Sequence, residues 1–241
     1  MPTVSINNRQ LYYQDIGQGF PLVFGHSYLC DHQSWQYQVE QLSSSFRCIV
    51  PDLWGHGASD ALPTASSENK DTDEGERYSI QQLADDYWQF TQQLNLQQFA
   101  LIGLSVGAMW SVQLTLDHPD AVRALVFMDS FVGEEAKATQ NQYLAMLDVV
   151  EQVGAIPAAM IEQLCPLFFS PETLAKQDRP QVEQFKQSLA TIGEKNIATV
   201  VTLGRSIFTR ASLLDRLGEI HCPTLVLVGE HDVPRPGADF S

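Results

Sequence analysis

Positive charge is what this sequence has least of. Lys and Arg number 14 against 29 Asp and Glu, a formal net charge of −15 over 241 residues. A chain this acidic repels phosphate backbones and anionic bilayers, which argues against nucleic-acid and membrane partners. Cysteines are few and scattered: Cys30, Cys48, Cys165 and Cys222 form no C-x-x-C pair. Neither a disulfide framework nor a zinc site is expected from them. No apolar run reaches the ~18 residues that span a bilayer. The first ten residues lack a basic stretch followed by an apolar one. These absences point to a soluble, cytoplasmic protein. The acidic stretch 68–76 lacks the glycine and glutamate offsets of a calcium loop, so segment 60–77 reads as a solvated loop without a metal.

What is present is a set of short apolar runs. Residues 21–25, 48–50, 99–103, 124–128 and 224–228 are apolar without alternation. Strands of that kind are expected to be buried on both faces, as in parallel sheets covered by helices. Residues 3–6 and 11–15 flank Asn7-Asn8 and predict a hairpin. Between the runs lie helical patterns. Ser79 with Gln82 reads as a capping box ahead of apolar positions Ile80, Leu83, Ala84 and Tyr87. Residues 106–117 predict a helix with Pro119 beyond its end, and residues 35–42 a shorter one. The alternation predicts an α/β domain. Residues 134–205 break it with helical patterns only, which reads as a cap. The expected organisation is a core over 1–133, a cap over 134–205 and a second core segment over 206–241.

The chemistry is carried by Gly103-Leu104-Ser105-Val106-Gly107, between an apolar strand and a helix. A serine on such a turn is lifted above the sheet. Bulk two residues before or after it would strike the neighbouring helix and strand. The helix opening at Val106 aims unpaired N–H groups and its positive end at a reacting carbonyl oxygen.

In this setting the chain resembles the α/β-hydrolase superfamily, in the group of small cofactor-free esterases and enol-lactonases. Besides the elbow, the resemblance rests on Gly25-His26-Ser27-Tyr28, on Pro51-Asp52-Leu53-Trp54-Gly55-His56-Gly57-Ala58-Ser59, on Asp117-His118-Pro119-Asp120-Ala121-Val122 and on Gly229-Glu230-His231-Asp232-Val233-Pro234. It runs from about Leu11 to the last residue. It implies a mostly parallel sheet flanked by helices, Ser105 as nucleophile and Asp232 as the acid that orients a histidine. Asp129 is a second candidate for that acid. The Tyr28 and Val106 N–H groups would hold the oxyanion, although Ser27 stands where the family usually has glycine. His26, Ser27, Trp54, Leu104 and Phe131 are candidates for the pocket wall. The implied substrate is a small ester or lactone, with thioester, diketone and perhydrolase chemistry also open, and no cofactor or metal. Dehalogenase and epoxide-hydrolase chemistry is disfavoured, because those relatives place an aspartate where Ser105 stands.

The family's order is serine, acid, then histidine after one more strand. Only nine residues follow Asp232 in this sequence. The last strand, the last helix and the catalytic histidine therefore have no counterpart in it. His26 and His56 read as turn-stabilising, His118 as a helix C-cap, His221 as remote and His32 as exposed. His231 adjoins Asp232, where side chains seldom meet. The alternative is a non-catalytic hydrolase-like binding protein or an inactive fragment.

Overall fold

The computed structural model describes residues 2–62, 78–192 and 194–234. Most of the segment read as an acidic loop, residues 63–77, lies outside the described residues, as does 235–241. Strands β1 (Thr3–Ile6) and β2 (Arg9–Ile16) pair antiparallel. Asn7 and Asn8, at φ 50° and 63°, make the left-handed two-residue turn that suits a twisted hairpin. Five further strands follow: β3 (Pro21–Gly25), β4 (Arg47–Pro51), β5 (Phe99–Leu104), β6 (Val122–Met128) and β7 (Thr224–Leu227). They form one seven-stranded sheet in the order β1-β2-β4-β3-β5-β6-β7, parallel from β4 to β7.

The apolar runs explain the middle of that sheet. Val23, Phe24, Ile49, Val50 and Leu101 are wholly buried. Helices α1 (Gln36–Leu42), α2 (Ile80–Gln93) and α3 (Val106–Asp117) connect the strands. Ser79 caps α2 reciprocally: its Oγ accepts the Gln82 N–H at 3.1 Å and its N–H donates to Gln82 Oε1 at 2.7 Å. Every α3 residue from Val106 to Leu116 is buried. Trp110 stacks on Tyr87 of α2 with ring centroids 4.2 Å apart.

β7 departs from its expected burial. All four of its residues are exposed, Leu225 by 53% and Val226 by 52%. The physical reason is position: among the described residues β7 pairs only with β6 and forms an edge of the sheet. An apolar run marks a strand but not its place in the sheet.

Between β6 and β7 come α4 (Lys137–Val153), α5 (Ala158–Phe168), α6 (Pro171–Ala175), α7 (Pro180–Ala190) and α8 (Glu194–Phe208). This helical insertion has its own core, built on Leu147, Val150, Ile161, Leu164, Val182, Phe185 and Val200. Leu29, from the loop after β3, is buried in it as well. Arg205 of α8 grips Asp148 and Glu151 of α4 at 2.7 and 2.8 Å.

Candidate active site

The chain leaves β3 toward β4 and leaves β5 toward β6, on opposite sides. In a parallel sheet the crevice outside such a reversal is where ligands bind. Ser105 follows β5 and Tyr28 follows β3, so the two candidate loops meet at that crevice.

Ser105 sits at φ 55° and ψ −118°, backbone that an L-residue adopts only under constraint. The constraint is visible. Its N–H donates to Met128 O at 2.9 Å, and its carbonyl accepts from the Ala108 N–H (2.9 Å), the Met109 N–H (3.1 Å) and the Ser130 hydroxyl (2.8 Å). The flanking glycines let the backbones close up. A Cβ on Gly103 would lie 2.5 Å from Ala108 Cα, and one on Gly107 would collide with the Gly25 carbonyl of β3. The N–H of Val106 opens α3, where first-turn donors have no partner within the helix.

Two buried histidines hold the loop after β3. His26 Nε2 accepts the Leu53 N–H at 2.9 Å, which leaves Nδ1 as the donor to Ser27 O at 2.8 Å. His56 Nε2 accepts the Leu29 N–H at 3.1 Å, and its Nδ1 donates to Trp54 O at 2.8 Å. Each loop thus lends a histidine to the other's backbone. Burial lowers both from the usual imidazole range, His56 to about 4 with help from its neighbour His26. Both are neutral struts with their ring nitrogens committed.

Asp52 is a third fixture of these loops. Its buried carboxylate accepts from the His32 N–H (2.7 Å), His32 Nδ1 (2.9 Å) and the Ala58 N–H (2.9 Å). His32 is therefore half-buried on Asp52 rather than exposed. Partial burial pulls its pKa down, and the Asp52 hydrogen bond and charge outweigh that and raise it.

The acidic side is built differently. Asp129 ends β6 at φ 43°. Its N–H donates to Leu227 O at 3.0 Å, and its Oδ1 accepts the Gly229 N–H at 2.6 Å. The Asp232 N–H donates to Gly229 O at 3.0 Å, closing the turn from Gly229 to Asp232.

Ser27, Tyr28, Leu104, Ser105, Asp129 and Asp232 line a single cavity of about 590 Å³. The insertion contributes apolar wall to it, including Leu147, Val150, Leu164, Phe168 and Phe208. Three expected wall residues are not among its lining. His26 is occupied beneath the loop. Trp54 is wholly buried, with its Nε1 donating to Asp86 at 2.8 Å. Phe131 packs against Gly133, and Arg210 lies 5.9 Å above its ring.

Of the other histidines, His118 is the C-cap residue of α3, its ring stacked on Trp88 at 3.7 Å. His221 is exposed. His231 lines the cavity at its rim, 42% exposed and 3.6 Å from Glu230. Sequence reasoning missed Ser130, Asp86 and Glu135. Asp86 accepts from Trp54, from Tyr78 (2.6 Å) and from Asn7 (3.1 Å), and burial raises its carboxyl. Glu135 lines the cavity and pairs with the buried Arg210 at 2.9 Å. Nothing in the sequence separates Glu135 from its neighbour Glu134.

Comparison with known proteins agrees with this fold. A family model described as the alpha/beta hydrolase fold matches residues 21–233. The 3-oxoadipate enol-lactonase 1 of Acinetobacter baylyi is 26% identical over 213 residues, 88% of this chain and 71% of that protein. Epoxide hydrolase 2 of Siraitia grosvenorii is 34% identical over 125 residues, 52% of this chain and 36% of that protein. A thermophilic esterase from Thermogutta terrifontis superposes with a TM-score of 0.84 at 24% identity, covering 99% of this chain and 84% of that one, a likeness of fold.

Proposed function

The chain belongs to the α/β-hydrolase fold family, and on that premise we propose that it hydrolyses small carboxylic esters or lactones through an acyl-enzyme on Ser105. The observation that carries this reading is Ser105 itself, held at φ 55° between β5 and α3 and lining a cavity with an apolar wall. A serine in so constrained a position needs a reason, and attack on a bound carbonyl is one.

In the proposed reaction Ser105 Oγ attacks the acyl carbon. The developing oxyanion rests on the N–H groups of Tyr28 and Val106, each worth about 3 kcal/mol in comparable sites. The alcohol leaves, and water releases the acid. Serine needs a base to shed its proton. A histidine oriented by Asp232, or by Asp129, would supply it. Among the described residues His231 is the histidine whose side chain borders the cavity. The apolar wall suits a small to medium apolar acyl group. The enol-lactonase relative supports a lactone or ester. The epoxide-hydrolase likeness is not followed, because Ser105 stands where the resemblance places an aspartate in those enzymes.

One observation favours a second reading, a hydrolase-like binding protein without turnover. His26, His32 and His56 have ring nitrogens engaged by backbone or Asp52, and His118 is stacked on Trp88. Hydrolysis of p-nitrophenyl acetate and butyrate by the chain and by Ser105→Ala separates the two. Turnover that falls more than about a thousandfold in Ser105→Ala supports the hydrolase. An equally active Ser105→Ala variant overturns it, and a folded chain without turnover leaves the non-catalytic binding protein or an inactive fragment.

A further inference from the structure

The loop that presents the Tyr28 N–H is also fastened to the helical insertion. The Tyr28 hydroxyl donates to the Val200 carbonyl of α8 at 2.6 Å. Burial raises its pKa, so it stays a donor. In an α-helix the Val200 carbonyl is also the acceptor for the N–H four residues on, at Gly204. Glycine is a poor helix former, yet Gly204 sits buried within α8. The contact explains it. A Cβ there would lie 2.6 Å from the Tyr28 hydroxyl and 2.8 Å from Leu147 Cδ2. The leucine tip can rotate away. The tyrosine is pinned, its ring 5.6 Å from His56 and 6.5 Å from Phe208. Leu29, the next residue, is buried in the insertion's core while its N–H is held by His56.

We infer that Gly204 and the Tyr28 hydroxyl are positioning residues, through which helix α8 sets where the Tyr28 N–H points. The gap left by Gly204 admits the hydroxyl, and the hydroxyl fixes the loop. The same insertion forms much of the cavity wall, so the wall and the oxyanion donor share one support. This inference rests on the proposed oxyanion role of the Tyr28 N–H.

The test is a double-mutant cycle on the full chain with p-nitrophenyl butyrate. Gly204→Ala is expected to lower kcat about 10- to 100-fold, as displacement of a catalytic group does, with KM changed less than threefold. Tyr28→Phe should lower kcat more mildly. In the Tyr28→Phe background the Gly204→Ala change should cost less than about threefold more, because the obstructing oxygen is gone. Wild-type kcat in Gly204→Ala, or the same loss in both backgrounds, overturns the inference. A wild-type chain without serine-dependent turnover overturns the hydrolase reading alone. The coupling is then read from the Tyr28 amide resonance. Displacement by Gly204→Ala that disappears in the Tyr28→Phe background upholds it, and an unmoved or equally displaced resonance overturns it.

Discussion

The Ser105 side and the Asp232 side of this cavity are held by different means. Around Ser105 the constraints overlap. Three glycines bring β3, β5 and α3 into backbone contact, and two neutral histidines lock the adjoining loops to each other. Near Asp232 the contacts among the described residues include the Asp129 carboxylate on the Gly229 N–H and a turn from Gly229 to Asp232, next to an exposed edge strand. A strained serine persists only where its surroundings over-determine it.

The comparison breaks if glycines on the two sides tolerate a methyl group equally. Gly107→Ala sets a Cβ against the Gly25 carbonyl, and neither β3 nor α3 can retreat without opening the core. Overpacking against backbone of this kind is expected to cost about 3 kcal/mol or more. At Gly229 the nearest atom to an added Cβ is 3.6 Å away. Gly229→Ala should change stability by less than about 0.5 kcal/mol. Urea unfolding of the two variants beside the parent measures both. A Gly107→Ala chain as stable as the parent would remove the argument for the packed elbow.

The same contrast decides what was legible in the sequence. The elbow could be read because close backbone approach demands glycine, and Gly103 and Gly107 flank Ser105 at the required spacing. The Asn7-Asn8 turn and the Ser79–Gln82 box were legible for the same reason: short-range geometry selects residue types. β7 could be read as a strand from 224–228, but burial depends on what lies beside it, and that is not local. His32 looked exposed because its partner Asp52 is twenty residues away. Trp54 and Phe131 looked like cavity wall because aromatic residues near a site are as well suited to the core as to the wall. Gly204 was invisible as a functional position, since its reason is a hydroxyl brought in from the loop after β3.

Acid sharpens the comparison at the loops. His56 is held neutral, with its pKa at about 4 against an ordinary value of about 6.5. Folding therefore excludes a proton that the unfolded chain takes up. The stabilisation is complete above about pH 6.5 and erodes as pH falls toward 4, by about 3 kcal/mol in all. His32 works in the opposite sense. Its raised pKa gives stability that is full below about pH 6.5 and lost as pH rises through the folded value. A His56→Gln variant is expected to be less stable at pH 7 and to lose less between pH 6.5 and 4. Thermal unfolding across that range would show it, and a parent chain with no loss there would contradict the neutral-strut assignment.

A small effect is also expected at Asp129, and it bears on the proposed assignment of the carboxylate that orients the base. Its Oδ1 accepts the Gly229 N–H and its backbone is left-handed. Asparagine keeps an acceptor oxygen and tolerates that φ. Asp129→Asn should therefore change stability by less than about 0.5 kcal/mol. With the proposed assignment of Asp232 as the acid, it should also leave serine-dependent turnover within a few-fold of the parent. Asp232→Asn, by contrast, should lower it by several orders of magnitude, since an amide in place of the orienting carboxylate costs about 10⁴ in a comparable triad. Measured on p-nitrophenyl butyrate, the reverse pattern would move the acid to the end of β6. The turn at Gly229–Asp232 would then be a loop of the cavity wall, tied through the Gly229 N–H to the carboxylate that orients the base.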